Sequence, residues 1–465
     1  MRRLNLFSGA IILIAVVLLA PWAGFAAENN QHIKTQHIKT FSLENDMRVV
    51  LVPDHRSPVV VHMVWYKAGA VDEPEGQSGI AHMLEHMMFK GSDNIPPGEF
   101  SKRVARLGGQ DNAFTSQDYT AYYQKIARDN LTRVVEMEAD RIANLNIDDE
   151  HFQPERDVIL EERSMRTDNR PIPLFFEKFN SYHFPEHPYG DPVIGWRDEI
   201  EKYTLKNATD WYDHYYAPEN AIVVFAGALA EDEARWLAAR YYGDIANPET
   251  TPKRPTVTPT PLFEEPKRFS HTDARAQLPL LVRSYRAPSL HRGVAGDAPP
   301  PQKDVAALVI LSDILGGGLT SRLYKTLVME KQLADSARAS YSPVRRYESS
   351  FNIIVQPRAG VKVRKAERAV NKVIATFLNS GLTQDELTRA KMQAKSADVF
   401  ARDDLFEAAY RVGKWLTAGG TVEHYQSWLN SIEAVTMDDV RRMAEKVLNI
   451  QQSTTGILHP DGERG

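Results

Sequence analysis

One segment of the chain combines an apolar helical pattern with two histidines and a glutamate. It is Gly79-Ile80-Ala81-His82-Met83-Leu84-Glu85-His86-Met87-Met88-Phe89-Lys90-Gly91. The pattern predicts a buried helix over residues 79–89, on which His82 and His86 are four positions apart and share one face. Glu85 lies beside that face. Burying these polar groups is costly unless they are paired or bind a ligand.

The order His-x-x-Glu-His is that of an inverted zinc-protease helix. Two neutral imidazoles at this spacing can hold zinc, and a neighbouring carboxylate can take a proton from the attacking water. A motif with so few fixed residues also occurs by chance, so a solvated helix face with two histidines is the alternative. The apolar neighbours favour a metal site with His82 and His86 as ligands and Glu85 as catalytic base.

A three-ligand site needs one more residue, and a helix predicted downstream offers Glu155, Glu161 and Glu162. Glu155 and Glu162 are seven positions apart, so they lie two turns apart on one face. Val158 and Ile159 lie between them and predict that this face points inward. An inward glutamate suits a metal ligand or a group that orients one. A row of solvated helix charges is the alternative.

Composition limits the fold and the partners. The length of 465 residues predicts two domains or three. A formal net charge of −5 argues against a broad nucleic-acid-binding surface. The chain has no cysteine, so only His, Asp and Glu side chains can hold a metal. Residues 246–266 contain six prolines and predict a linker between a metal-binding domain at 40–245 and a second domain at 267–459.

Residue patterns also predict individual elements. In the first half they indicate a hairpin at 40–52, strands at 58–67, 119–126 and 220–227, and helices at 129–143 and 151–166. The second half repeats pieces of the first. Residues 200–204 (IEKYT) recur as 432–436 (IEAVT), each before a predicted helix of similar length, and 81–91 overlays 307–317. The two offsets are nearly equal, which predicts an internal duplication, with coincidence as the alternative.

Residues 1–27 have the composition of a secretory signal peptide. Arg2 and Arg3 precede an apolar run at 10–20, and small residues suit cleavage before Ala27. An uncleaved membrane anchor is the alternative, but the run is short for a membrane span. We expect export across the inner membrane, to the periplasm if the source is a Gram-negative bacterium, with no stable span after cleavage.

From about Phe41 to Leu458 the chain resembles the pitrilysin/insulinase family of zinc peptidases. The resemblance rests on residues 79–91 together with Asn112-Ala113-Phe114-Thr115, His187-Pro188-Tyr189 and Tyr216-Ala217-Pro218-Glu219-Asn220. It implies an α+β fold of two homologous domains, each an antiparallel sheet with helices packed on one face.

The resemblance also implies roles for individual residues. The family's third zinc ligand falls on Glu162, and its accessory glutamate falls on Glu155. One Zn²⁺ per chain is therefore expected on His82, His86 and Glu162, with Glu85 as the base of an endopeptidase. An extended or unfolded peptide is expected to bind as an added strand beside Asn112, Ala113, Phe114 and Thr115.

The second half is expected to lack a metal site. The positions of His82, Glu85 and His86 correspond there to Leu308, Leu311 and Ser312. The run Gly316-Gly317-Gly318 lacks the Lys-Ser/Thr ending of a phosphate-binding loop, so a turn at a helix end is the better interpretation.

One departure from the family pattern concerns partners. Active single-chain relatives carry an Arg and a Tyr in the second half that bind substrate, whereas this chain has Met329 and Asp335 at those positions. The nearby Arg338 and Tyr341 are out of register. The chain thus resembles the zinc-bearing subunit of the two-subunit members, which implies a homologous partner chain without the zinc motif. The alternatives are a non-catalytic scaffold subunit of a larger complex and a metal-dependent hydrolase of another substrate.

Overall fold

The computed structural model describes residues 37–250 and 253–460. The signal peptide predicted at 1–27 lies outside the described residues. Within the described ranges the strands form two sheets, and none of the helices is long and apolar enough to cross a membrane.

The first sheet has six strands. They are β1 (Lys39–Ser42), β2 (Arg48–Pro53), β3 (Val59–Tyr66), β4 (Gln110–Thr115), β5 (Thr120–Ala127) and β6 (Ala221–Gly227). Their order is β1-β2-β6-β3-β5-β4, so β4 is an edge strand. The predicted hairpin is confirmed by the antiparallel pair β1–β2, and β3, β5 and β6 confirm the three predicted strands.

The second sheet has five strands. They are β7 (Lys267–Thr272), β8 (Leu280–Ala287), β9 (Ala334–Tyr341), β10 (Ser349–Pro357) and β11 (Ser453–His459). Their order is β7-β11-β8-β10-β9, which repeats the order β2-β6-β3-β5-β4 of the first sheet. The two sheets therefore share one topology, and β1 is the additional strand.

Each sheet is antiparallel except for one parallel pair, β2–β6 in the first and β7–β11 in the second. A parallel pair needs a crossover connection rather than a hairpin, and most of a domain lies between the two strands of each pair. The predicted α+β class with two similar domains is confirmed, and the parallel pair refines it.

Helices lie on both sheets. In the first half they are α1 (Ile80–Met87), α2 (Glu99–Arg106), α3 (Leu131–Ala143), α4 (Asp149–Arg163), α5 (Pro171–His183), α6 (Arg197–Ile200), α7 (Leu205–Tyr215) and α8 (Glu231–Tyr242). In the second they are α9 (Gln302–Gly316), α10 (Val363–Ser380), α11 (Gln384–Asp403), α12 (Leu405–Thr417), α13 (Val422–Gln426), α14 (Trp428–Glu433) and α15 (Met437–Val447). π-Helical segments follow at Ser164–Asp168 and Tyr324–Glu330. Short 3₁₀ turns lie at Ala70–Asp72, Arg128–Asn130, Pro188–Gly190, Pro218–Asn220, Val294–Gly296 and Ile450–Gln452.

The repeated sequence pieces occupy equivalent places in the two halves. Residues 200–204 and 432–436 precede α7 and α15, which are both 11 residues long. Thr204 and Thr436 each begin their helix with a capping box, which satisfies N–H groups that the first turn leaves unpaired.

Each sheet also carries a helix from the other half of the chain. On the first sheet, α12 lies against β3 and β6, and its Val412 joins a core cluster with Trp65. Gly413 permits this approach because a Cβ there would overlap the Trp65 indole. On the second sheet, α5 lies against β7 and β11, and Phe179 packs in a cluster with Leu458. The two halves therefore bury apolar surface against each other.

The proline-rich segment is attached to both halves. Its residues 253–266 form no helix or strand. Arg254 donates hydrogen bonds to the buried carboxylate of Asp72 in the first half at 2.6 and 2.9 Å, and Tyr347 in the second half donates its hydroxyl to the carbonyl of Pro255 at 3.2 Å. The domain limits drawn around 246–266 stay a prediction, because the halves share buried surface.

Shortening Phe179 tests the exchanged helix α5. Phe179→Ala should lower the free energy of unfolding by about 3–5 kcal/mol, because it empties a fully packed site between the halves. Lys178→Ala, an exposed change on the same helix, is the control and should have little effect. Denaturant unfolding measures both, and equal stability of the two variants would contradict the shared core.

Candidate active site

The helix α1 is held at its beginning by two contacts. Gly79 has a positive φ of 90°, and a Cβ there would overlap the carbonyl oxygen of Ile194. The carboxylate of Glu73 accepts hydrogen bonds from the N–H groups of Gly79 at 2.7 Å and Ala81 at 2.9 Å. A carboxylate at a helix N-terminus also interacts favourably with the helix dipole. These contacts fix the position of His82 one turn further on.

The structure brings His82, His86 and Glu162 together. One possible ligand atom from each lies within 4.8 Å of the others. Among the described residues, this is the one group of three or more His, Asp or Glu side chains close enough to hold a metal ion. Glu162 Oε1 is 3.9 Å from His82 Nε2, and Glu162 Oε2 is 3.3 Å from His86 Nε2. The imidazole centroids are 4.7 Å apart. Helix α4 supplies the carboxylate, and α1 supplies both imidazoles.

Glu155 lies behind this cluster. Its Oε1 is 2.8 Å from His86 Nδ1, on the side of the ring away from Glu162. Lys90 forms an ion pair with the other carboxylate oxygen. A carboxylate that accepts the second N–H of an imidazole fixes the ring orientation and makes the free nitrogen a better metal ligand. Lys90, Glu155 and His86 thus form a chain that orients one side of the cluster.

The glutamate within the motif has a different environment. Glu85 accepts a hydrogen bond from the hydroxyl of Thr115 at 2.5 Å. Burial raises the pKa of Glu85, although the bond from Thr115 partly opposes this. A raised carboxyl pKa suits a group that accepts and returns a proton near neutral pH. The spacing places Glu85 beside the cluster, as a base requires.

The two histidines differ in protonation. Burial lowers the pKa of His82 to about 4, and the nearby charge of His86 acts in the same direction. Burial also opposes protonation of His86, but its hydrogen bonds to Glu155 and Glu162 outweigh burial and raise the pKa to about 9. His86 therefore holds its proton more tightly than His82. A metal ion must displace that proton, because the ligand is the neutral imidazole.

The donor set fits a zinc ion. Two imidazole nitrogens and one carboxylate oxygen leave a fourth position open, which is the pattern of catalytic rather than structural zinc sites. The cluster has no sulfur donor, in agreement with a chain that lacks cysteine.

The helical pattern of α4 was predicted only in part. Ile159 is fully buried, but Val158 is 49% exposed, so the prediction that both lie on an inward face is wrong for Val158. The reason is that a face of two residues seven apart is narrow, and position 158 turns past its edge. Glu161 is exposed and lies away from the cluster that contains Glu162.

The expected peptide-binding residues lie on β4. This strand pairs with β5 on one side and is the edge of its sheet. Side chains alternate between the two faces, and Thr115 reaches Glu85 on the face towards α1. Phe114 points to the opposite face and packs edge-on against Trp65, with 5.3 Å between the ring centroids. Asn112 accepts from the N–H of Ala113 at 2.9 Å through its side-chain oxygen.

The equivalent region of the second half is apolar. Leu308 and Leu311 are fully buried in its core, and Ser312 donates to the carbonyl of Val309 at 2.8 Å. Helix α9 ends at Gly316 with Gly317 as its cap, which confirms the predicted helix-end turn. The described residues of this half contribute nothing to the metal-type cluster.

The residues at the Arg and Tyr positions of the family are not equivalent donors. Met329 is 61% exposed, and Asp335 pairs with Arg358 at 3.3 Å. Of the out-of-register candidates, Tyr341 already donates its hydroxyl to the carbonyl of Pro288 at 2.5 Å, whereas Arg338 is exposed.

Sequence reasoning missed one residue at the cluster. Arg166 Nη1 lies 2.6 Å from Glu162 Oε1. The signal that could have found it is the spacing, since Glu162 and Arg166 are four positions apart and such pairs meet on a helix.

The family comparisons agree with this geometry. The sequence matches the family described as Insulinase (Peptidase family M16) over residues 48–196. It matches the family described as Peptidase M16 inactive domain over residues 202–394. The zinc protease PqqE of Helicobacter pylori is 32% identical over 432 residues, which cover 91% of this chain and 93% of that protein.

Solved structures share the fold. The crystal structure of a protease from Helicobacter pylori has a TM-score of 0.85 and 30% identity, covering 92% of this chain and all (100%) of that one. The first half of the periplasmic protease PqqL from Escherichia coli has a TM-score of 0.76 and 19% identity, covering 91% of this chain and 92% of that one. The match to the longer PqqL chain covers 90% of this chain and 47% of that one.

Metal content tests the ligand set. The purified chain should bind about one zinc ion, and His82→Ala, His86→Ala and Glu162→Gln should each lose it, because the site has only three protein ligands. Glu155→Gln should weaken zinc affinity by about 10–100-fold. Elemental analysis after zinc addition and desalting provides the measurement.

The matched control is Glu161→Gln, which removes an exposed carboxylate one residue from Glu162. It should retain zinc at the wild-type level. A wild-type chain that holds no metal after zinc addition would refute the site.

Proposed function

The chain belongs to the insulinase family of peptidases, family M16, and we propose that it is a zinc-dependent endopeptidase acting on extended or unfolded peptides. The observation that carries the proposal is the approach of His82, His86 and Glu162 ligand atoms to within 4.8 Å of one another. Glu85 stands beside this cluster, with its carboxylate oriented by Thr115. The names of the relatives as zinc proteases support the same conclusion.

The residues have separable roles in the proposed mechanism. His82, His86 and Glu162 would hold one zinc ion. When bound, zinc supplies a polarised water and a Lewis acid for the scissile carbonyl. Glu85 accepts the proton of the attacking water and delivers it to the leaving amine. The hydroxyl of Thr115 keeps the Glu85 carboxylate in one orientation, and Glu155 does the same for the His86 ring.

The edge strand β4 supports the choice of substrate. Its unpaired side offers N–H and C=O groups to an extended peptide. Residues 112–115 end next to Glu85, since Thr115 bonds to it, so a peptide added along β4 would pass the cluster. A folded protein rarely presents a free extended segment, which restricts the substrates to peptides or unfolded chains.

The compartment is part of the proposal. We place the enzyme in the periplasm on the signal-like composition of residues 1–27. The similar PqqL of Escherichia coli is described as a periplasmic protease, which is compatible with this placement.

A partner chain completes the proposed enzyme. PqqL contains about twice the length of this chain, with a match over 47% of its residues. Met329 offers no hydrogen-bond donor, and an ionised Asp335 only accepts. We therefore propose that a homologous chain without the zinc motif supplies an Arg and a Tyr for the peptide. A non-catalytic scaffold subunit is the competing function, and catalytic assays separate the two.

The substitution Glu85→Gln tests whether Glu85 acts as the catalytic base and not as a metal ligand. The variant should retain zinc but lose peptide cleavage by about 100-fold to 10,000-fold, because the water keeps its site and loses its proton acceptor. Cleavage of an unstructured fluorogenic peptide measures the rate, and elemental analysis measures zinc. Glu161→Gln is the control and should cleave normally. A Glu85→Gln variant that keeps most of its turnover would exclude this residue as the base.

Co-expression tests the partner. The isolated zinc-loaded chain should cleave slowly, and a homologous chain with the Arg and Tyr should raise the rate, because anchoring on both sides of the scissile bond then becomes complete. Fast cleavage by a demonstrated monomer, abolished by Arg338→Ala, would reject the partner. A zinc-loaded complex that cleaves nothing would favour the scaffold function.

A further inference from the structure

Arg166 stands at the mouth of the proposed metal centre. It lies in the π-helical segment Ser164–Asp168, directly after the helix that carries Glu162. Its Nη1 is 2.6 Å from Glu162 Oε1, and 72% of its side chain is exposed. The same carboxylate oxygen is 3.9 Å from His82 Nε2. The guanidinium therefore binds the ligand oxygen from the solvent side.

A bound metal ion and Arg166 compete for this oxygen. Both are cations, and like charges at such close range repel each other even with the screening of bulk water. Metal binding at His82, His86 and Glu162 should therefore release the guanidinium from Glu162. Because the side chain is mostly exposed, it can turn towards a bound peptide without losing buried contacts.

The charges around the centre define what the released guanidinium would meet. Glu155 is already neutralised by Lys90. A divalent ion carries two positive charges, whereas Glu162 carries one negative charge. Glu85 is the other carboxylate beside the ion. With Arg166 added, the mouth of the centre is positive. A guanidinium binds carboxylates through paired hydrogen bonds, so an acidic group of a peptide complements this position.

We propose that Arg166, which pairs with Glu162, is a specificity-determining residue that binds a substrate carboxylate at the mouth of the metal centre. Peptides with Asp or Glu beside the cleaved bond are then preferred. This inference rests on the proposed peptidase function. The competing explanation is a surface ion pair between residues four apart, which stabilises α4 slightly and does nothing else.

Zinc affinity gives the first test, because it does not depend on catalysis. Arg166→Gln should bind zinc about fivefold more tightly than the wild type, since it removes a repelling cation from the ligand oxygen. Arg170→Gln, which removes an exposed cation at the start of α5, is the matched control and should leave the affinity unchanged. Competition with a fluorescent chelator measures all three chains. Unchanged or weaker zinc binding by Arg166→Gln would overturn the proposal.

Peptide binding gives the second test. In the zinc-loaded Glu85→Gln chain, a labelled unstructured peptide rich in glutamate should bind about tenfold more tightly than its glutamine twin, as expected for a charge-assisted hydrogen bond. The preference should vanish with Arg166→Gln and persist in part with Arg166→Lys. Fluorescence anisotropy measures the affinities. Absence of a preference for the glutamate peptide in the Glu85→Gln chain would overturn the role of Arg166.

These readouts distinguish the two proposals. If Arg166→Gln abolishes the preference of the Glu85→Gln chain for the glutamate peptide but the zinc-loaded wild type, alone and with its partner, cleaves neither peptide, the peptidase function fails, and only the binding of an acidic group by Arg166 stands. If the wild type cleaves both peptides equally and Arg166→Gln changes neither rate nor zinc affinity, the peptidase function stands and the Arg166 assignment fails.

Discussion

The contact between α1 and α4 is the constraint on which the rest of the first half depends. Helix α1 is almost wholly buried, yet it carries two imidazoles and a carboxylate whose burial needs compensation. Two carboxylates of α4 compensate the burial of His86. Glu155 Oε1 lies 2.8 Å from His86 Nδ1, and Glu162 Oε2 lies 3.3 Å from His86 Nε2. The packing of these helices cannot slip by a turn without leaving buried charges unpaired, which would be strongly destabilising.

The same contact positions the chemistry. Because β4 lies next to α1, Thr115 can bond to Glu85 from the sheet side, while α4 approaches the cluster from the other side. The proposed base therefore faces the edge strand, and the proposed ligands face α4. An edge strand that ends beside the base is what a peptidase of extended chains requires, since the peptide can pair along β4 as it enters.

The second half shows the same architecture without the chemistry. Its sheet repeats the strand order of the first, and α9 occupies the place of α1 with buried Leu308 and Leu311 where the motif would be. An apolar helix needs no compensating carboxylates, so α9 can be held in place by apolar packing. Its contribution to the first half is structural, since α12 covers the sheet beside Trp65, while α5 covers the second sheet in return.

Periods of 3.6 and 2 in the sequence predict which residues share a helix face or a strand face. That is why the shared face of His82 and His86, the shared face of Glu155 and Glu162, and strands β3 and β6 were predictable, whereas Glu162 as the third ligand is implied only by the family resemblance. Other features depend on long-range packing, which a local period does not report. The exposure of Val158, the parallel strand pairs, the exchange of α5 and α12, the bond from Thr115 to Glu85 and the place of Arg166 on Glu162 each depend on which element packs against which. A local pattern indicates whether a helix or strand face is apolar or polar. Which other element packs against that face depends on the packing of the whole chain.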